Sequence, residues 1–517
     1  MTNQYEDLRQ WLDQVDAIGE LAHPIGADWN LEIGGISEID YKKRGPALLF
    51  DQIKGYPAGY RVLTSSTNSA RRLGLTLRMG ADHTDASLVA QLRGSPNRWE
   101  ETSKNFDPVY VQSGPVFENV MEGDAIDLLK FPTPFWHEMD GGRYIGTGAA
   151  VATIDPEEKW VNLGAYRSML MDRNHVTLNI VQGKHGHIHN QKWMEREGRA
   201  PVAIHIGMDP LFLVLGGVEV PTGVSELNYA GAIRSEPVKV VKSTVTGLPI
   251  IANAEIVLEG WVKKGDKTDE GPFGEWPGYY VSGTTKEPYL KVERVLYRNN
   301  PIMLGSPPAK PPHDYSYMRT IMKSAMIFDA LVSAGIPEVK AVYAPECGGG
   351  RMLVIVAIKQ RYPGHARQTG FIASQCREAA YMGKYTIVVD EDIDVTNLEE
   401  VLWAVCTRTD PATSIDFIRR AWASKAEPML RRGQPPFNSR AVIDACRPFE
   451  WIDEFPKVAQ ADPAYLRELE HKWGDIFTIA TATGGSKIAT RGSKGAGAPT
   501  PQRPAAAGTA PIRDDGM

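Results

Sequence analysis

Apolar residues Leu8, Trp11, Leu12, Val15 and Ile18 recur at three- and four-residue intervals, predicting an amphipathic helix over residues 5–19. Ala47-Leu48-Leu49-Phe50 follows Gly45-Pro46 with no polar break and reads as a short buried strand. Helical patterns alternate with loops to about residue 115, as in an α/β unit. From Gly146 to Leu304 the period shortens. Runs 151–154, 202–206, 211–215, 238–246, 250–258 and 289–297 are rich in β-branched residues and separated by Gly, Pro and Asp turns. They predict a barrel-like, mostly antiparallel middle domain. Two proline pairs between Ser306 and His313 predict an extended crossing. Beyond it, a helix over 317–334, a strand over 353–358, a helix over 369–382 and a strand over 385–389 form a second α/β alternation. Residues 465–477 predict a helix able to pack against another subunit. From Gly484 onward Gly, Ala, Pro and Ser dominate without apolar period, which predicts a disordered tail.

At 517 residues the chain is too long for one core and suggests two or three domains of roughly 150 residues each. Its 42% hydrophobic and 23% charged residues are those of a soluble globular protein. A net charge of -6 gives no reason to expect nucleic acid or an anionic membrane as partner. No apolar run nears the roughly 20 residues that span a bilayer, and the polar, acidic start is no secretory signal. Cys347, Cys376, Cys406 and Cys446 are widely spaced, with no C-x-x-C pair, which argues for reduced thiols and a cytoplasmic setting.

The chemistry concentrates in a few segments. Glu270-Gly-Pro-Phe-Gly-Glu275 sets two carboxylates five residues apart in a loop that Gly271, Pro272 and Gly274 can bend. Close carboxylates rarely share one pKa, so the pair is either a proton-handling device or a solvated hairpin tip. Trp160-Val-Asn162-Leu-Gly-Ala-Tyr-Arg167 offers an amide and a guanidinium. In a strict strand Asn162 and Arg167 face opposite sides, so one shared site requires a bulge or bend near Gly164; otherwise Arg167 makes a surface ion pair. His185-Gly-His187-Ile-His189 lines one face of a strand, while His185 and His189 also match on a helix. Such a triplet is either a metal array or a turn whose imidazoles bond the backbone. Glu226 completes with Asn162 and His185 a mixed N/O set suited to Mn²⁺, especially where phosphate fills the shell.

Together these segments resemble the UbiD family of decarboxylases, which use prenylated FMN. The resemblance runs from Gly45-Pro-Ala-Leu-Leu-Phe50 to Val401-Leu-Trp-Ala-Val-Cys-Thr-Arg408. Its strongest parts are Asn162…Arg167, His185, Gly223-Val-Ser-Glu226 with Tyr229-Ala-Gly-Ala-Ile233, and Glu270…Glu275. It implies an α+β multidomain fold: an N-terminal α/β domain (1–115), a central split β-barrel of flavin-reductase-like type holding prenyl-FMN (116–310), and a C-terminal α/β domain with an oligomerisation helix (311–483), followed by the tail 484–517. Asn162, His185 and Glu226 would hold Mn²⁺ or Mg²⁺ against the flavin phosphate. K⁺ would sit on carbonyls near Trp160 and Val218, sharing Glu226. Lys384 would reach the phosphate, and Arg167, Glu270 and Glu275 would form the catalytic set.

Losing CO₂ from an arene leaves a carbanion that protein groups alone do not stabilise, so a cofactor must act as electron sink. The resemblance implies reversible decarboxylation of an aromatic or heteroaromatic acid (hydroxybenzoate, phthalate or aryl-CoA type) through a covalent prenyl-FMN adduct, with Glu275 as proton donor. Arg167 is expected to pair with Glu270 and lower its pKa, while a drier Glu275 retains or relays the proton. Trp276 is expected to wall the substrate pocket, with Lys184 and His187 as polar options nearby. Pro311-Pro312-His313-Asp314 departs from the acidic residue that often follows these prolines. Expected partners are a small acid and CO₂, a UbiX-like flavin prenyltransferase supplying the cofactor, and further copies in a homodimer or homohexamer. A flavin-independent metal hydrolase using His185, His187 and His189 is the alternative, and a binding protein that has lost its chemistry is a third.

Overall fold

The Asp7 carboxylate accepts the Gln10 N–H at 2.9 Å and starts the helix Leu8–Ala17, whose Leu8, Trp11, Leu12 and Val15 are buried. Only one face carries large apolar groups, so this helix must dock, and Trp11 Nε1 donates to Thr76 Oγ1 at 3.1 Å as it does. The computed structural model to which these contacts belong describes residues 4–218, 220–431 and 433–482. A mixed four-stranded sheet follows, in the order Leu21–Ala22, Ala47–Phe50, Arg61–Thr64, Ile302–Leu304. Its last strand arrives from much later in the sequence, so the first sheet is completed by a segment that follows the middle of the chain.

That middle is a seven-stranded antiparallel sheet, ordered Asn119–Glu122, Thr285–Tyr297, Ile256–Glu270, Arg199–Ile206, Ala150–Ile154, Val161–Gly164, with His175–Thr177 paired to Thr285–Tyr297. Alternate residues of one strand feed two different apolar cores. Ala150, Ala152, Ala203 and Val257 join one, and Val151, Val202, Ile204, Ile256 and Leu258 the other. Each large side chain so buried contributes about 1.5–3 kcal/mol, which makes the register of this sheet hard to slip. A small three-stranded sheet joins Pro249–Ile251, Lys239–Lys242 and Val109–Tyr110.

The second α/β alternation forms a five-stranded sheet ordered Val339–Tyr343, Leu353–Ile358, Tyr385–Asp390, Phe437–Ala445, Ile415–Trp422, parallel at its centre and antiparallel at both edges. The helix Asp314–Ser333 leads into it, capped by the His313 side chain, which accepts the Ser316 N–H at 3.3 Å. A separate unit begins at Glu454 and carries the helix Pro463–Ala482. The tail expected to be disordered lies outside the described residues.

Three local expectations change. The run 211–215 is not a strand but opens the helix Leu211–Gly217; the Asp209 carboxylate accepts the Leu211 N–H at 3.0 Å, and burial on nearly every side leaves no alternation to read. The histidine triplet lies on the helix His185–Glu197, not on a strand. The helix expected over 369–382 is His365–Gln375, and the Arg440 guanidinium then takes the carbonyls of Ser374, Ala379 and Ala380 that a longer helix would have used. No helix among the described residues is long and apolar enough to cross a membrane, and the four cysteines are free thiols.

Candidate active site

Glu270 is the last residue of the strand Ile256–Glu270, in register with Thr285. Gly271 then turns at φ +87°, where a Cβ would come within 2.6 Å of the Gly283 carbonyl, so only glycine fits. The turn is braced from outside: Gly141 N–H donates to Pro272 O at 2.7 Å and Gly274 N–H to the Asp140 carboxylate at 3.2 Å. Glu275 sits in its own tight turn, its N–H on Tyr279 O at 3.1 Å and its carbonyl accepting Gly278 N–H at 2.8 Å.

The strand Val161–Gly164 stops at Gly164, and three residues later Arg167 bridges Asn179. The regular strand thus ends between Asn162 and Arg167, so strict alternation no longer sets their sides, and Arg167 reaches the acidic loop. Arg167 Nε and Nη2 each donate to Glu270 at 2.9 Å, while Nη1 pairs with Glu275 Oε1. Tyr144 OH donates to Glu270 Oε1 at 2.7 Å and Asn179 Nδ2 to Oε2 at 3.2 Å. The Phe273 ring lies 5.0 Å below the guanidinium carbon and 4.3 Å from the Tyr144 ring. Burial opposes the Glu270 charge, but Arg167, Tyr144 and Asn179 outweigh it and hold its carboxyl below the ordinary range. Burial likewise opposes charge on Arg167, and the two carboxylates hold it protonated above its usual value. The order of dryness is the reverse of expectation: the Glu270 side chain is 0% exposed and that of Glu275 15%.

A second cluster gathers at the same strand. Asn162 Nδ2 donates to Tyr166 OH at 3.3 Å and to Thr153 Oγ1 at 3.4 Å, which leaves its carbonyl oxygen for another partner. Tyr166 OH also accepts Gly186 N–H at 3.2 Å, next to His185 at the start of its helix. A Cβ on Gly186 would meet the Tyr166 ring at 2.7 Å, so this approach requires glycine. His185 Nε2 lies 3.2 Å from Thr222 Oγ1, with the Trp160 ring edge-on at 5.1 Å. Glu226 opens the helix Glu226–Arg234 and accepts Leu163 N–H at 2.7 Å. Burial pushes its carboxyl up to about 8 despite that bond, and no cation pairs with it among the described residues. A buried carboxylate without a counter-ion, an uncommitted amide carbonyl and an imidazole form a donor set that fits a divalent cation. Two helix N-termini, at His185 and Glu226, add the positive ends that phosphate favours.

The other expected residues are placed as follows. Val218 ends the helix Leu211–Gly217 and is buried. Lys384 is engaged by the buried Glu427 at 2.6 Å. Trp276 is 8% exposed, packed with Met382 and Ala423, and its carbonyl lies 3.2 Å from His313 Nε2. Lys184 lies over the Tyr381 ring at 4.9 Å. The three histidines do not converge: on a helix, His187 projects about 200° away from His185, and His189 is buried against Thr153 at 3.1 Å. No group of three His, Cys, Asp or Glu side chains is poised for a metal among the described residues, so the hydrolase array is not formed. Tyr144, Asn179, Tyr166 and Thr153 were not singled out from the sequence. They are neutral, common residues, and only the register that brings them to Glu270 and Asn162 marks them.

Family models for 3-octaprenyl-4-hydroxybenzoate carboxy-lyase match residues 13–92 (N-terminal domain), 109–311 (Rift-related domain) and 316–445 (C-terminal domain). Pyrrole-2-carboxylic acid decarboxylase from Pseudomonas aeruginosa is 33% identical over 423 residues, 78% of this chain and 83% of that protein. Vanillic acid decarboxylase from Sedimentibacter hydroxybenzoicus, in open form, superposes with TM-score 0.78 at 29% identity, covering 92% of this chain and 100% of that one. The UbiD-class enzyme HmfF from Pelotomaculum thermopropionicum, in complex with FMN, gives TM-score 0.77 at 26% identity over 88% of this chain and 97% of that one. An evolved dimeric form of HmfF was solved with prFMN and gives TM-score 0.74 at 25% identity over 89% of this chain and 98% of that one. The chain belongs to the UbiD family of carboxy-lyases.

Proposed function

We propose that this enzyme reversibly decarboxylates an aromatic or heteroaromatic acid with prenylated FMN as cofactor, and that Glu275 protonates the carbon that loses CO₂. The observation that carries the reading is the Arg167 bridge between two unequal carboxylates. Glu270 accepts four donors, two from Arg167 and one each from Tyr144 and Asn179, so it has little capacity left to carry a proton. Glu275 is held through Oε1 alone, at the rim of the buried set, and can turn its other oxygen toward a ligand. Release of CO₂ leaves an electron pair on the ring carbon. The Glu275 carboxyl delivers H⁺ to that carbon, and the resulting carboxylate takes a proton from water. Arg167 is positioned to neutralise Glu275 as it becomes charged, and Glu270 keeps Arg167 fixed.

When bound, prenylated FMN supplies the electron sink that these side chains lack. Asn162, His185 and Glu226 would hold Mn²⁺ or Mg²⁺ against its phosphate, and K⁺ would sit on carbonyls near Trp160 and Val218. Lys384 would reach the phosphate only by giving up Glu427. The sheet carrying Asn162 and Glu270 is read as the split β-barrel of a cofactor domain over 116–310, between α/β domains over 1–115 and 311–483. Trp276, Lys184 and His187 are read as surroundings of the substrate. A flavin prenyltransferase must supply the cofactor, and a cytoplasmic homodimer or homohexamer is the proposed form.

The test is CO₂ release, from protein co-expressed with such a prenyltransferase, across a panel including pyrrole-2-carboxylate, vanillate and 3,4-dihydroxybenzoate. Turnover of at least one aromatic acid is expected. No release from any acid by protein carrying the oxidised cofactor would count against the reading.

A further inference from the structure

The histidine that the metal cluster leaves out has a place of its own. His189 is one helical turn beyond His185, 1% exposed, with the Trp160 ring edge-on at 4.6 Å. Its Nδ1 lies 3.1 Å from Thr153 Oγ1. Thr153 stands directly opposite Asn162 in the pairing of Ala150–Ile154 with Val161–Gly164, and its hydroxyl accepts the Asn162 Nδ2–H at 3.4 Å. A hydroxyl that accepts from Asn162 still has its own proton, and His189 Nδ1 is the hydrogen-bond partner beside it. His189 Nε2 has no partner among the described residues and is buried, a cost that a ring kept for packing alone would avoid by being phenylalanine.

We infer that Thr153 and His189 are positioning residues for the cation: they fix the Asn162 amide with its carbonyl oxygen outward and lock the helix carrying His185 to the strand carrying Asn162. This rests on the metal reading above. The donor groups come from three separate elements, the strand of Asn162 and the helices that begin at His185 and Glu226, so their spacing depends on what pins each to the others. Beside the Gly186 N–H bond to the Tyr166 hydroxyl, the same helix is attached to the strand region by, among others, Trp193 Nε1 to Ile154 O at 2.8 Å and Lys192 to Asp155 at 2.8 Å. Neither touches Asn162, so they separate simple docking from ligand orientation.

The experiment titrates Mn²⁺ into EDTA-stripped full-length protein with FMN present, reading free Mn²⁺ by electron paramagnetic resonance, with thermal melts of the metal-free proteins alongside. Thr153→Val and His189→Phe are expected to weaken Mn²⁺ binding about ten- to hundred-fold. Thr153→Ser, which restores the hydroxyl, is expected to bind like the wild type. Trp193→Phe is expected to melt earlier yet keep wild-type affinity. Wild-type affinity in both Thr153→Val and His189→Phe, with Asn162→Ala impaired, would overturn this inference alone. A loss in Trp193→Phe equal to that in His189→Phe would also overturn it, by reducing His189 to a docking contact. Wild-type affinity in Asn162→Ala would overturn the metal reading and this inference with it.

Discussion

Arg167 grips Glu270 through two parallel N–H bonds, each 2.9 Å, and the same guanidinium reaches Glu275 with its remaining nitrogen. One cation thus meets two acids in different settings: a saturated, buried carboxylate and a partly exposed carboxyl held through one oxygen. Glu275→Gln removes the transferable proton while keeping shape and one acceptor for Arg167. Turnover is expected to fall by at least about 100-fold, the lower range for losing a general acid. Flavin absorbance should stay at the wild-type level, so CO₂ release and the visible spectrum of one preparation check both halves.

Acid sensitivity follows from the buried carboxylate. The Glu270 carboxyl is held below its ordinary 4.5, so it binds protons less readily folded than unfolded. Its stabilisation is then complete above about pH 4.5 and fades as the pH falls through the lower folded value. Removing one member of a buried pair costs about 3–5 kcal/mol. Glu270→Gln should therefore melt well below the wild type at pH 7, with the gap narrowing as buffers go below pH 4.5. A gap that stayed constant to pH 3 would deny Glu270 this role.

Under the proposed metal site, cofactor retention would rest on the other cluster. Asn162→Ala removes the amide oxygen, and His185→Ala the imidazole at the helix start. Both variants are expected to purify with little flavin and little divalent metal, measured by absorbance and elemental analysis, while folding as the wild type does.

Trp276 rests on Gly349, where a Cβ would come 2.4 Å from the indole at φ +65°. Gly349→Ala must displace that ring, the neighbour of Glu275. KM for the native acid is expected to rise several-fold with flavin content unchanged. Trp276→Ala should cost about 3–5 kcal/mol of stability, read by chemical denaturation, and admit bulkier acids in the panel.

The parts of this molecule legible in the sequence are those whose physics is local. Glycines around Glu270 and Glu275 announced a loop, the odd spacing of Asn162 and Arg167 called for a break in the strand, which ends at Gly164, and the strand Leu353–Ile358 stands where its apolar run placed it. Where two periods fit equally, the sequence was silent. His185 and His189 match both a strand and a helix, and 211–215 is apolar throughout, so neither run could declare its helix. The relative dryness of the two acids depends on Tyr144 and Asn179, 126 and 91 residues from Glu270 along the chain. Only the folded register reveals which carboxylate they cover.

The most direct measurement compares CO₂ release from the true acid substrate by one purified batch before and after its bound pigment is stripped, with re-addition of prenylated FMN as the third arm. Release should vanish on stripping and return on reconstitution. Undiminished release from the colourless, folded protein would contradict the division of labour proposed between cofactor and side chains.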